Sequence, residues 1–241
     1  MRWLAVLLTM SVGCVPDLGM VEVQGVVRDG FDGGGRADTT LRAFNEAFEE
    51  VDQTVSDEAG WFRMEVPAAE LIHVELSGEG MRPSTFTGIS GSNPRIRVPT
   101  GASIAITDAA WQDVLDTWDG CPELGEGGTI LAQVEIADVV QENGSPIPVE
   151  TARATVTMED GTQRAACYLG EDGTYDPEAS QSGDFASFLV TNVPEGVHDL
   201  NLVWFPAGTG TREHTYAVWV PDGGVAPRLP LLVEPPIDLD L

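Results

Sequence analysis

The chain has 241 residues, with 39 Asp and Glu against 12 basic residues, and a formal net charge of −27. Every basic residue is Arg; Lys does not occur. So acidic a surface repels phosphate, which excludes a nucleic-acid partner. An apolar content of 42% excludes a wholly disordered chain and suffices for one large or two small domains.

Met1-Arg2 carries one positive charge, Trp3 to Met10 is an apolar run, and Ser11-Val12-Gly13 leads with small residues into Cys14. This is the layout of a secretory signal. The run falls well short of the about 20 apolar residues that a spanning helix needs. The segment resembles a bacterial lipoprotein signal, with Ser11 where that family carries Leu. The resemblance implies cleavage after residue 13, acylation of Cys14 and a tether over 14–19. The protein is then exported and held at a bacterial cell envelope, on the outer membrane, through its acyl chains. An ordinary signal with an incidental Cys14 is the other reading.

Val21, Val23 and Val27 alternate with polar neighbours and read as a strand, followed by a Gly-rich loop from Asp29 to Gly35. Thr39 to Phe44 reads as a second strand. Asp57 to Gly60 reads as a hairpin turn in which Gly60 takes positive φ and Phe62, Met64 and Val66 alternate inward. Ile72, Val74 and Leu76 mark one face of the next strand, which would turn His73 and Glu75 to solvent. Pro94 to Pro99 closes the sheet. Short strands punctuated by Gly and Pro point to an antiparallel sandwich over 20–102.

Residues 103–127 read as a helix and a Gly-rich linker. Thr107 is the expected N-cap, Asp108 suits the positive helix end, and Trp111, Val114, Leu115 and Trp118 share one face. That face packs on a sandwich end or between domains, or else presents Trp111 and Trp118 to a ligand. A second set of strands runs over 128–233, starting at Thr129 to Ile136. Its members include Ala154 to Met158, Ala165 to Leu169, Phe185 to Asn192, Val197 to Trp204 and Thr215 to Val220. From Pro221 the chain reads as an extended end strand and then a tail over 234–241, because Pro227, Pro230, Pro235 and Pro236 cannot donate to a ladder. Setting Cys14 aside, an exported chain retains the pair Cys121 and Cys167, which either closes a disulfide or stays as two buried thiols.

The halves repeat one another. Gly60-Trp61-Phe62 with Val66-Pro67 answers Gly183-Asp184-Phe185 with Val193-Pro194, the second carrying a small insertion. Thr54-Val55-Ser56-Asp57-Glu58-Ala59-Gly60-Trp61-Phe62 and Asn192-Val193-Pro194-Glu195-Gly196 resemble motifs of the carboxypeptidase regulatory-like domain, a small transthyretin-like sandwich. The resemblance implies an all-β protein of two tandem antiparallel β-sandwiches joined by a short helix. It implies nothing specific about activity, because this fold is an accessory module of many proteins.

The chemistry expected of the chain is sparse. His73, His198 and His214 are its only histidines and lack zinc-site spacing, and neither a nucleophile elbow nor a Lys-bearing phosphate loop occurs. The acidic loops around Asp29, Asp32 and Asp38, and around Glu171, Asp172, Asp176 and Glu178, hold the oxygen donors that Ca²⁺ takes, without EF-hand spacing. No metal site and no cofactor is expected. Two functions remain. One is a non-enzymatic, lipid-anchored surface protein with a structural, adhesive or scaffold role, its partners being envelope polysaccharide or other surface proteins. The other is a polysaccharide-binding lipoprotein whose exposed rings, Trp204 and Trp219, stack on sugars.

Overall fold

The computed structural model describes residues 19–91, 93–98, 103–140, 146–148, 152–183, 186–205 and 211–233. Cys14, the expected signal over 1–13 and the expected tail over 234–241 lie outside them. The architecture is all-β, with one helix among the described residues.

The first half contains β1 (Met20–Val26), β2 (Arg28–Asp29), β3 (Thr40–Phe44), β4 (Glu50–Val55) and β5 (Trp61–Pro67). It continues with β6 (Leu71–Ser77), β7 (Met81–Arg82), β8 (Ser84–Ile89), β9 (Arg95–Arg97) and β10 (Ile104–Thr107). One sheet has the order β5-β1-β9 and the other β4-β3-β6-β8. Period-two alternation buries Val21, Val23, Phe62, Met64 and Val66 from the first sheet against Leu41, Ile72, Val74 and Leu76 from the second. β10 pairs with β2 and β7, so this strand of the connecting segment 103–127 is built into the first sandwich.

Helix α1 (Asp108–Thr117) starts where expected: Thr107 is the N-cap, and its hydroxyl accepts from the Ala110 amide at 3.3 Å. The second half follows with β11 (Gly128–Val140), β12 (Pro146–Pro148), β13 (Arg153–Thr157), β14 (Gln163–Ala165) and β15 (Cys167–Tyr168). It ends with β16 (Ser187–Val193), β17 (Gly196–Trp204), β18 (Arg212–Val220) and β19 (Val225–Val233). Its core gathers Ile130, Val156, Phe188, Leu200, Leu202, Val218 and Val220.

The duplication read from the sequence extends to the main strand pairings. The antiparallel pairs β1–β5, β3–β4, β3–β6 and β6–β8 recur as β11–β16, β13–β14, β13–β17 and β17–β18. The parallel pair β1–β9 recurs as β11–β19, so neither sandwich is wholly antiparallel. The sequence alignment of the two halves is corrected by three residues. Gly60 stands immediately before β5 with φ 82°, and Ala186 stands immediately before β16 with φ 50°. The Gly60 carbonyl accepts from Val27 and the Ala186 carbonyl from Val134, which makes them equivalent. Phe62 therefore answers the buried Phe188, not Phe185. The insertion is also smaller than the motif spacing implied: Asn192, at φ 50°, is the extra residue of a bulge opposite β11.

Two further expectations change. The turn at Asp57–Gly60 is not a hairpin, since β4 pairs with β3 in one sheet and β5 with β1 in the other. It is a corner between the layers, held by the Asp57 carboxylate, which accepts from the Ala59 and Trp61 amides. The end strand β19 is not at an edge either. It pairs in parallel with β11 and, at Val225 opposite Ser84, with β8. The two halves thereby share one sheet of order β15-β16-β11-β19-β8-β6-β3-β4. A strand bearing Pro227 is accommodated there because the β11–β19 register slips by one residue between Ile130 and Ala132, leaving a bulge next to that proline.

Candidate functional site

The seam between the sandwiches concentrates the aromatic residues. On β18, Val218 and Val220 point into the second core, so Trp219 faces away from it. There it meets the first half: its ring lies 5.3 Å from Phe44, 5.6 Å from Phe48 and 5.9 Å from His73, edge-on in each case. Its carbonyl accepts from the Thr85 hydroxyl at 2.6 Å. Phe48 stacks on His73 at 4.8 Å, holding a left-handed φ of 58° in a turn whose amides at Ala47 and Glu49 are bound by Asn45 Oδ1. His73 is 1% exposed, and its Nδ1 pairs with Thr87 Oγ1 at 2.9 Å. Burial lowers its pKa, opposed by the nearby Glu46.

The expected ligand platform at Trp204 and Trp219 is therefore corrected. Trp219 is 6% exposed because the first sandwich covers the face it occupies. Trp204 is 7% exposed because it continues the inward series His198, Leu200, Leu202 along β17. That alternation was the available signal: extending it by one step places Trp204 inside. The solvent-facing placement of His73 is corrected for the same reason as Trp219.

Helix α1 ties the halves together at both ends. Near its start, the Arg82 guanidinium lies 4.1 Å from the Trp111 ring centre and donates to the Gly223 carbonyl of the second half. Trp111, Val114 and Trp118 form a third core with Ile104, Ile106, Leu189 and Val225, drawn from both halves. Past its end, Thr191 Oγ1 donates to the Pro122 carbonyl and Glu123 pairs with Arg164. Cys121 and Cys167 are joined by a disulfide with a Cα separation of 6.2 Å. Replacing both cysteines by Ser removes a cross-link between positions 46 residues apart, and the expected loss of stability is about 3–4 kcal/mol. Urea unfolding of the double variant measures it; wild-type stability there, or two alkylatable thiols in the folded native protein, contradicts the bridge.

The acidic loops have local roles. Asp29 Oδ1 accepts from the Phe31 amide and from Thr107 Oγ1, and Asp32 Oδ1 from the Gly34 amide. Asp172 caps Thr174 through amide and hydroxyl, and Asp176 caps Glu178. Among the described residues no group of three His, Cys, Asp or Glu converges in a way that could hold a metal. Glu123, Asp160 and Asp172 have carboxyls held below the usual range because neighbouring side chains and amides donate to them.

Two open clefts of about 520 and 430 Å³ flank the sandwiches. The larger is lined by Arg36, Asp38, Thr39, Glu79 and Met81. The smaller is lined by Asp160, Arg164, Glu195 and His198, whose Nε2 is paired with the Pro194 carbonyl. In each cleft, acidic side chains sit beside a lone Arg.

No protein-family model matches the chain, and no curated protein matches it. Among solved structures, the chain is similar to the Bacillus anthracis TIE protein, at 14% identity and a TM-score of 0.30, over 89% of this chain and 34% of that one. It is similar to the shaft pilin SpaA of Lactobacillus rhamnosus GG at 8% identity and a TM-score of 0.28, over 87% and 96% of the two chains. Over 32% of its length it is similar to catechol 1,2-dioxygenase of Acinetobacter, at 17% identity and a TM-score of 0.26. The chain thus spans about a third of the TIE protein and nearly all of SpaA.

Proposed function

We propose that the chain is an exported lipoprotein whose fused sandwiches form a non-enzymatic structural or adhesive module at a bacterial envelope. The observation that carries this reading is the seam. A shared sheet, a bridging helix, a disulfide and a buried Trp219 make the two repeats one mechanical unit. A protein that transmits load or holds a surface in place needs such continuity, whereas domains that close on a substrate need a hinge. The domains are of the carboxypeptidase regulatory-like type in this reading, and Cys14 is the anchor. In this reading attachment is through acyl chains on Cys14; no helix among the described residues is long and apolar enough to cross a membrane.

The anchor is tested by Cys14→Ser. The variant is expected to move from the membrane pellet to the soluble fraction on cell fractionation, with its fold unchanged by circular dichroism. Membrane association equal to wild type overturns the lipoprotein reading.

A further inference from the structure

The outer face of the β5-β1-β9 sheet differs from the rest of this acidic molecule. It presents Arg63 from β5 and Arg95 and Arg97 from β9, three of the 12 basic residues in the chain. The acidic groups on this face are Glu22 and Glu65, and the Asp52 carboxylate lies at its β5 edge, accepting from the Glu65 amide at 2.7 Å. Glu22 is shared, with one oxygen 3.3 Å from Arg63 Nε and the other 3.3 Å from Arg95 Nε. Among the described residues Arg97 makes no ion pair, and its residue is exposed. The register places Arg63, Gln24 and Arg97 in one row across the three strands. Two strand spacings set the backbones of Arg63 and Arg97 about 9.5 Å apart, with an amide side chain between them.

Trp61 stands beside this row. It stands two residues before Arg63 on the same face, opposite Val26, and is 46% exposed. It is the exposed tryptophan of the described residues, the other four being buried. A large ring left in water on a flat sheet beside guanidinium groups has the composition of a recognition surface.

We propose that this face binds an acidic polysaccharide, with the Trp61 ring against the C–H face of a sugar and Arg63 and Arg97 on its carboxylates. The assignment deepens the adhesive reading given above and rests on it. Charge sets the sign of the partner: Arg63 and Arg95 share one carboxylate, Arg97 has no ion pair among the described residues, and a Debye length of about 8 Å screens them from the distant acidic surface. Guanidinium forks suit planar carboxylates, and Gln24 offers both donor and acceptor to hydroxyls between them.

The test uses the full chain in a neutral detergent, with galacturonic acid oligomers as the probe. Expected are binding that weakens with salt and a tryptophan fluorescence change. Neutral dextran oligomers of the same length are expected not to bind. Arg97→Gln is expected to weaken binding about tenfold, and Trp61→Ala to abolish the fluorescence change, both with wild-type melting. Absence of binding, or equal binding by the variants, overturns the proposal. So does polyglutamate binding as tightly without dependence on Trp61, which would identify an acidic peptide as the ligand. Self-association that Arg97→Gln removes, without glycan binding, would identify a second copy instead and also overturn it. If glycan binding fails while Cys14→Ser still releases the protein, the anchored structural reading stands and only the ligand falls.

Discussion

Trp219→Ala is expected to lower the stability of the protein by about 3–5 kcal/mol, the range for removing a large aromatic side chain from a packed interior. The ring is packed on three sides by Phe44, Phe48 and His73, so its removal leaves a cavity that the two sandwiches cannot close without sliding. Phe48 has a further role there. It is held at a left-handed φ of 58°, a conformation that its contacts with His73 and Trp219 help to maintain. With the ring gone, the seam loses its apolar filling while the Thr85 bond to the residue 219 carbonyl remains possible. The expected signature is a broader urea transition, as the halves begin to unfold separately. A variant with the wild-type midpoint and slope would show that the seam does not couple the two halves.

The second large effect is expected at Gly60. A β-branched residue at φ 82° carries a steric cost of about 1–2 kcal/mol by itself. The surroundings add to it, because a Cβ at this position would lie 2.5 Å from the Val27 carbonyl oxygen and 2.8 Å from the Arg36 amide nitrogen. Neither group can move freely. Val27 donates to the Gly60 carbonyl at 2.8 Å and accepts from Arg36 at 2.9 Å, so the overlap strikes a bonded backbone rather than a flexible side chain. Gly60→Val is expected to cost about 3 kcal/mol or more, read as a drop in melting temperature and urea midpoint. Unchanged melting would mean that the corner between the sheets does not have this geometry. At the equivalent corner of the second half, Ala186 carries a Cβ at φ 50°, which shows that the architecture tolerates a small side chain where φ is less extreme.

Strand β8 carries no pattern that marks it in the sequence. Strand β8 reads STFTGI, and its hydroxyls look solvent-facing. In the fold Ser84 donates to the Ile104 carbonyl, Thr85 to the Trp219 carbonyl, and Thr87 pairs with His73, so a polar strand lies buried at the seam. A hydroxyl satisfied by a distant carbonyl carries no local mark of its burial.

The local pattern of the chain determined much of the architecture by itself. Alternation at Phe62, Met64 and Val66, and at Ile72, Val74 and Leu76, depends only on the two-residue period of a strand with one wet and one dry face. The Thr107 cap and the apolar stripe of α1 depend on the 3.6-residue period and on unpaired amides at a helix start. The likeness of the halves was visible because equivalent corners and strands need similar residues. Tertiary structure alone decided which outward faces are wet. Trp219 and His73 lie on faces pointing away from their own cores, and so do Trp61, Arg63 and Arg97. The first pair is covered by the other sandwich and the second group is open to solvent. Nothing within a strand distinguishes the two cases, because the covering residues come from more than 100 positions away, as in the Thr85 bond to Trp219. The same holds for β19: its prolines suggest an edge, and only the pairing of both its sides with β11 and β8 makes it the strand that joins the halves.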